Sequence, residues 1–226
     1  MSSQIRFAVI LSGCGVYDGS EIHEAVSTML AIDKLGGEYV CFAPNAEQAK
    51  TMNHVSGIAD SLRGDEDNRN VMVEAARIAR GNIFDIKDFN TQEFDCIVFP
   101  GGMGAISNLS DIAEKGISGE LHPEIKRAIE ESHAKGLVIG AMCIAPMLLA
   151  RALGDKGVCI TIGNDNKLAG EISKTGAVHE TCGATEVCID EDLRVVTTPC
   201  YMLAKSIKEV AMGTENLIGA MMDMVQ

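Results

Sequence analysis

The residue best placed to do chemistry in this sequence is a cysteine at a predicted strand-to-helix junction. Cys143 follows the apolar β-formers of residues 137–139 and has alanine two positions before and two after it. Small residues there allow the tight turn of a nucleophile elbow, which lifts a side chain out of a sheet. The dipole of the following helix is expected to lower the pKa of the thiol. The alternative is a core cysteine, since free cysteines are commonly buried.

Two other features could serve such a thiolate. Gly101 and Gly102 follow a buried strand, and glycines let backbone N–H groups approach a ligand. Together with the N–H of Ile144 they could bind an oxyanion, or they could simply form a flexible turn. Glu24 lies near the start of the first predicted helix, where it is either a proton acceptor over the cysteine or a solvated partner of the helix dipole. Sequence spacing does not decide between these interpretations.

The elements that must position these residues alternate between strand and helix. This order predicts a mostly parallel sheet with helices on both faces, and the chemistry of such sheets lies at the carboxyl ends of the strands. Without a linker, repeat or low-complexity tract, residues 1–226 are predicted to form one domain. The predicted strands are 5–12, 38–44, 94–100, 137–143 and 158–163 and a hairpin over 186–199, and the predicted helices are 20–35, 70–81, 122–136, 144–154 and 201–221.

The first helix has a clear apolar spacing. One face carries Ile22, Val26, Met29, Leu30 and Leu35, which is a helical pattern. The preceding serine, at position 20, is the predicted N-cap, and the glycine pair at 36–37 is predicted to end the helix.

Composition excludes several classes of partner. The 226 residues carry a net charge of −13, which disfavours nucleic acid and anionic membranes. No apolar stretch is long enough to span a membrane, and the first residues do not resemble a signal peptide. The eight cysteines include no C-x-x-C pair, so we expect reduced thiols in a cytoplasmic protein.

Several other residues allow more than one interpretation. His179, Cys182 and Cys188 offer too few ligands at the spacing of a metal site, so no metal and no organic cofactor are predicted. Three more residues could either line a pocket or serve only packing, turns and caps: Cys14, Asn108 and Cys200.

The whole pattern resembles a known superfamily. The stretches SGCGVYDGSEIHEAV, CFAPN, NVMVEAARIARG, VFPGGMGAISNL, MCIAP, TIGND and TTPCYMLA span nearly the entire chain. They resemble the ThiJ/PfpI branch of the class I glutamine amidotransferase-like superfamily. More closely, they resemble the ElbB-type proteins, a family named for isoprenoid biosynthesis and assigned glyoxalase activity.

This resemblance implies a flavodoxin-like three-layer α/β sandwich with a mostly parallel central sheet. It implies that Cys143 is the elbow nucleophile and that Glu24 hydrogen-bonds it. The N–H groups of Gly101, Gly102 and Ile144 would form the oxyanion pocket, and the protein would be a homodimer.

Two differences from other members of the superfamily restrict the reactions that this chain is expected to catalyse. Ile144 stands where protease-like and chaperone-like relatives carry histidine, and His179 is the only histidine downstream of Cys143. Its surroundings, HETCG, do not match the H-P-E motif of glutaminases. Glutamine hydrolysis and a peptidase triad are therefore disfavoured, whereas chemistry that needs only a thiolate and a carboxylate remains.

The predicted function is a glutathione-independent glyoxalase, a cofactor-independent lyase of low activity. It would convert methylglyoxal or glyoxal, both small aldehydes, into 2-hydroxy acids through a hemithioacetal on Cys143. The alternative is a non-enzymatic redox or stress sensor that uses an oxidisable Cys143.

Overall fold

Strands and helices alternate along the protein, as its computed structural model shows for residues 4–59 and 69–226. Within these residues the strands are β1 (Arg6–Ile10), β2 (Glu38–Ala43), β3 (Met52–Asn53), β4 (Ile58–Ala59), β5 (Ile83–Asp85), β6 (Cys96–Phe99), β7 (Val138–Met142), β8 (Cys159–Ile160), β9 (Val178–His179), β10 (Cys188–Asp190) and β11 (Val195–Thr198). The helices are α1 (Ile22–Lys34), α2 (Val71–Ala75), α3 (Met103–Ser107), α4 (Ile112–Lys115), α5 (Pro123–Lys135), α6 (Pro146–Leu153), α7 (Asn166–Ser173) and α8 (Ile207–Val225).

Seven of these strands form the central sheet, in the order β10-β11-β7-β6-β1-β2-β5. Every neighbouring pair is parallel except the β10–β11 hairpin, which is antiparallel. The inner strands β6 and β7 are buried along their whole length, as continuous apolar runs in a covered parallel sheet should be. The predicted flavodoxin-like α/β sandwich is confirmed, and its carboxyl edge gathers the ends of β1, β6, β7 and β11.

The buried face of α1 differs from the apolar face predicted from its sequence. Ile22, Val26 and Leu30 are exposed, whereas Ala25 and Ile32 are buried. The helix packs against α8 and β2, and the face that makes these contacts carries Ala25, Met29 and Ile32. Its N-cap is also not the serine at position 20: the side chain of Glu21 accepts the N–H of residue 24 instead.

The last helix begins later than the sequence indicates. Residues 200–202 form a single 3₁₀ turn after β11, and the side chain of Ser206 then caps α8 by accepting the N–H of Glu209. This turn brings the backbone of residues 200 and 201 to the carboxyl edge of the sheet. Among the described residues, no helix is both long enough and apolar enough to cross a membrane.

Candidate active site

Cys143 lies on a strained turn between β7 and α6. Its φ is +60°, in the left-handed region that a residue with a Cβ seldom adopts. The turn is held by the N–H of Cys143, which donates to the carbonyl of Thr198 at the end of β11, 3.0 Å away. The side chain is 8% exposed. The predicted elbow conformation is therefore present, and it places the sulfur in a nearly closed site.

Glu24 meets this cysteine from the first turn of α1. Its carboxylate is fully buried. One oxygen, Oε2, accepts the N–H of Gly101 at 3.0 Å, and the other, Oε1, accepts the N–H of Tyr201 at 3.2 Å. Cys143 lies beside this carboxylate: a Cβ built on Gly101 would lie 2.5 Å from both the Cβ of Cys143 and Oε2 of Glu24, and each side chain affects the pKa of the other. Segments after β6, β7 and β11 thus converge on one carboxylate, and Glu24 is buried rather than solvated.

Two interlocked loops hold α1 against the diglycine. The N–H of Glu21 donates to the carbonyl of Gly101 at 2.9 Å, and the N–H of Gly104 donates to the carbonyl of Gly19 at 2.9 Å. A Cβ on Gly102 would lie 2.3 Å from the carbonyl oxygen of Gly19, so only glycine permits this approach. The backbone contacts fix where Glu24 enters the site.

Adding a methyl group at Gly101 is expected to destabilise the site. A Cβ there would lie 2.5 Å from both the Cβ of Cys143 and Oε2 of Glu24. We expect Gly101→Ala to lower the free energy of unfolding by about 1–3 kcal/mol, the usual cost of overpacking. Gly219→Ala is the control, because a Cβ at Gly219 meets no atom within 4 Å. Equal stabilities of the two variants in urea denaturation would contradict the proposed close approach.

Burial controls the electrostatics of Glu24. Desolvation raises the pKa of its carboxyl to about 8, and the nearby charge of Glu21 acts in the same direction. Hydrogen bonds from Tyr201, Cys143 and Gly101 favour the charged form and lower the pKa, but they only partly offset burial. The carboxyl therefore titrates in the range where a general base is useful.

The expectation of a low thiol pKa is wrong for this structure. Burial, and then the charge of Glu24, raise the pKa of Cys143 well above its usual value. Hydrogen bonds from the N–H groups of Gly102 and Ile144 to the sulfur act in the opposite direction without overcoming burial. Because a desolvated thiol beside a carboxyl resists ionisation, the two groups share protons and titrate as a pair.

The three predicted oxyanion donors do not have equivalent positions. The N–H of Gly101 is already donated to Glu24, so this residue orients the carboxylate. The N–H groups of Gly102 and Ile144 are instead close enough to the sulfur of Cys143 to lower its pKa, so these two remain the candidate oxyanion donors.

No sequence pattern indicated a role for Tyr201. Its N–H binds Glu24, and its hydroxyl lies 2.7 Å from Nδ1 of His23 on the outer side of α1. The preceding residue, Cys200, is fully buried with φ of +42°, and burial raises the pKa of its thiol. Their position in the sequence could have indicated a role, because both residues come shortly after the end of strand β11, where the site lies.

Asn108 is a structural residue. Its Nδ2 donates to the carbonyls of Ser12 and Asp18, at 2.8 Å and 2.9 Å, and its Oδ1 accepts the N–H of Ala49 at 2.9 Å. These bonds join three loops. Of the residues weighed for a metal, His179 instead accepts the N–H of Ile162 through Nε2, at 3.3 Å.

Curated proteins are similar to the chain over nearly all of its length. The chain is 37% identical to the mitochondrial ES1 protein homolog of Rattus norvegicus, over 97% of this chain and 82% of that protein. It is 37% identical to the human mitochondrial glutamine amidotransferase-like class 1 domain-containing protein 3, over 96% of this chain and 80% of that protein. No protein-family model matches the chain.

Solved structures support the same relationship. The chain superposes with a TM-score of 0.91 and 36% identity on an isoprenoid biosynthesis protein with an amidotransferase-like domain from Ehrlichia chaffeensis, which covers 98% of this chain and 100% of that one. Glyoxalase III of Candida albicans shares the fold, with a TM-score of 0.61, 14% identity, and coverage of 96% and 97%.

These comparisons correct the predicted cytoplasmic localisation. The rat and human relatives are named as mitochondrial proteins, as is a third relative from Danio rerio. The prediction rested on reduced cysteines and on the absence of a recognisable signal peptide. Neither feature distinguishes the cytoplasm from a mitochondrial compartment.

Proposed function

This chain belongs to the family of ES1 and glutamine amidotransferase-like class 1 proteins, and we propose that it is a glutathione-independent glyoxalase for small 2-oxoaldehydes. The ElbB-type subfamily and a link to isoprenoid metabolism are part of the proposal. They are supported by the similarity to the Ehrlichia protein, whose description names isoprenoid biosynthesis.

The observation that carries the proposal is the buried pair of Cys143 and Glu24. Glu24 is held by two backbone N–H groups and lies close enough to the thiol to affect its pKa, and the residue after Cys143 is isoleucine rather than histidine. Glyoxalase chemistry needs a nucleophilic sulfur and one base that moves protons between adjacent carbons. Peptide or glutamine hydrolysis would also require a partner that protonates an amine leaving group, a role commonly taken by histidine.

The reaction proceeds in three balanced steps. Glu24 takes the thiol proton while the sulfur of Cys143 bonds to the aldehyde carbon, and it passes that proton to the aldehyde oxygen to give a hemithioacetal. The carboxylate then removes the hydrogen of that carbon as a proton, which gives an enediolate, and it returns the proton to the neighbouring carbon while the hydroxyl proton moves to the neighbouring oxygen. The resulting thioester is cleaved by water, which releases the 2-hydroxy acid and restores the thiol. The N–H groups of Gly102 and Ile144 stabilise the developing oxyanion.

The narrow access to the sulfur favours a small substrate. Cys143 is almost covered and Glu24 is fully buried. A three-carbon aldehyde can reach such a sulfur with little rearrangement, whereas a folded peptide or a nucleotide cannot. This argument selects methylglyoxal and glyoxal as the first compounds to test.

The proposal is tested by following product formation without glutathione. Reduced protein, freed of small thiols and supplied with EDTA, is incubated with methylglyoxal or glyoxal, and lactate or glycolate is measured. Stereochemically pure lactate in amounts far above one equivalent per chain is expected. Racemic lactate at the rate of a cysteine-free protein would contradict the proposal.

The rate of this reaction is expected to rise with pH through about 8. Below that value Glu24, with its pKa of about 8, holds its proton and cannot accept one from the thiol. We therefore expect kcat/KM to increase roughly tenfold per pH unit on the acid side and to level off above the pKa. Steady-state rates between pH 6 and 9 check this, and a profile that falls over the range would contradict it.

Glu21→Gln provides the matched variant for the pH profile. The charge of Glu21 raises the pKa of Glu24, so its removal is expected to shift the rising limb to lower pH. The glutamine keeps an oxygen that can cap α1. An unshifted limb would show that another group controls the profile.

The sensor alternative lacks support from the site. Redox-sensing cysteines are accessible and have a low pKa, whereas Cys143 is buried and burial raises its pKa. The predicted homodimer stays a prediction, and its test is the molar mass of the protein in light scattering.

A further inference from the structure

Two cysteines and a glutamate meet away from the elbow. Cys159 lies on β8, Cys188 on β10, and Glu180 directly after β9. The two sulfurs are 3.5 Å apart. Oε2 of Glu180 lies 3.8 Å from the sulfur of Cys159 and 3.6 Å from that of Cys188. We call these three residues the thiol–carboxylate cluster.

The spacing of the three ligand atoms matches a tetrahedral metal site. With Zn–S bonds of about 2.3 Å and a Zn–O bond of about 2.0 Å, tetrahedral angles place two sulfurs about 3.8 Å apart and a sulfur and an oxygen about 3.5 Å apart. Each separation in the cluster agrees within a few tenths of an ångström. A disulfide would instead require the sulfurs to approach to about 2.05 Å.

We propose that Cys159, Glu180 and Cys188 bind a thiophilic divalent cation such as Zn²⁺. Binding replaces two S–H bonds by two metal–sulfur bonds, and the two protons pass to solvent. Glu180 supplies the third ligand, and water completes the tetrahedron. This proposal replaces the expectation of no metal, which considered His179 and Cys182 with Cys188.

The surroundings of the cluster are preorganised and accessible. The N–H of Cys159 donates to Oδ2 of Asp190 at 2.8 Å, which ties β8 to the end of β10. Glu180 is exposed and lines a surface depression of about 500 Å³ together with Cys182, and Cys159 is half-buried, so two of the three ligands are open to solvent. Bound metal would join the small β8–β9 sheet to the edge of the central sheet.

The test is a Co²⁺ titration of reduced protein under anaerobic conditions. We expect one equivalent of Co²⁺ to bind per chain, with thiolate-to-cobalt charge-transfer absorption, and to be displaced by Zn²⁺. The double variant Cys159→Ser/Cys188→Ser should lose this signal, whereas Cys143→Ser should keep it. No saturable binding by the wild type, or loss of the signal only in Cys143→Ser, would overturn the proposal.

Glu180→Gln keeps the test decisive if the double variant folds poorly. Its side chain is exposed, so the fold should tolerate the change. We expect at least a tenfold weaker affinity, since loss of even an outer-shell partner costs about 10- to 100-fold. Zn²⁺ should raise the Tm of the wild type more than that of Glu180→Gln. Equal affinities and equal Tm shifts would overturn the proposal.

Discussion

Cys143→Ala is expected to abolish the conversion of methylglyoxal to lactate, with a loss of roughly 10³-fold or more in kcat/KM. Without the sulfur no hemithioacetal forms, and the remaining groups cannot hold the aldehyde covalently. Alanine should not relieve the strain of the turn, because the φ of +60° is unfavourable for any residue with a Cβ. The loss should therefore come from chemistry rather than from relief of strain.

The matched control for this variant is Cys14→Ala. Cys14 is a partly buried thiol on the loop after β1, and burial also raises its pKa. Cys14→Ala removes one thiol, as Cys143→Ala does, but it leaves the elbow intact, so near wild-type rates are expected. Stereoselective lactate formation by Cys143→Ala, or equal losses in both variants, would refute the assignment of Cys143. Circular dichroism of both variants establishes that they are folded.

Glu24→Gln is expected to lower kcat/KM by about 10²- to 10⁴-fold, the typical contribution of a positioned general base. A glutamine cannot take the thiol proton or move a proton between the two carbons. Its amide also has only one acceptor oxygen, so it cannot accept both N–H groups that bind the carboxylate, from Gly101 and Tyr201. The rate should be measured over the same pH range as the wild type.

The pH profile separates a catalytic role of Glu24 from a structural one. With Glu24 removed, the thiol of Cys143 must ionise without its buried base, and burial holds its pKa well above the usual value. The residual rate of Glu24→Gln should therefore keep rising beyond the plateau of the wild type. A loss of less than about threefold, with an unchanged profile, would contradict the proposed base.

Local patterns in the sequence were sufficient to predict much of the architecture. Apolar runs such as 96–99 and 138–142 belong to strands buried on both faces, and that burial shapes the sequence directly. The same logic located Cys143 and the diglycine, because both follow such strands. The carboxyl ends of parallel strands lie at one edge of the sheet. Residues that follow different strands were therefore expected to lie close together in space.

The sequence could not show how α1 is rotated. Its apolar residues Ile22, Val26 and Leu30 are exposed, while Glu24 and Thr28 are buried. Periodicity identifies a helical face but not what that face contacts. Here the backbone N–H groups of Gly101 and Tyr201, which come from other segments, make burial of the Glu24 carboxyl acceptable.

By itself the sequence determined the α/β sheet, the elbow and the residues able to do thiol chemistry, because these depend on short-range periodicity and on glycine at strand ends. Only the tertiary structure determined the pKa values of the reacting groups and which residues, distant in sequence, lie close together. Burial raises the pKa of both Glu24 and Cys143, and Cys159, Glu180 and Cys188 converge from three strand segments. Desolvation and long-range contact are properties of the packed molecule, so no local pattern contains them.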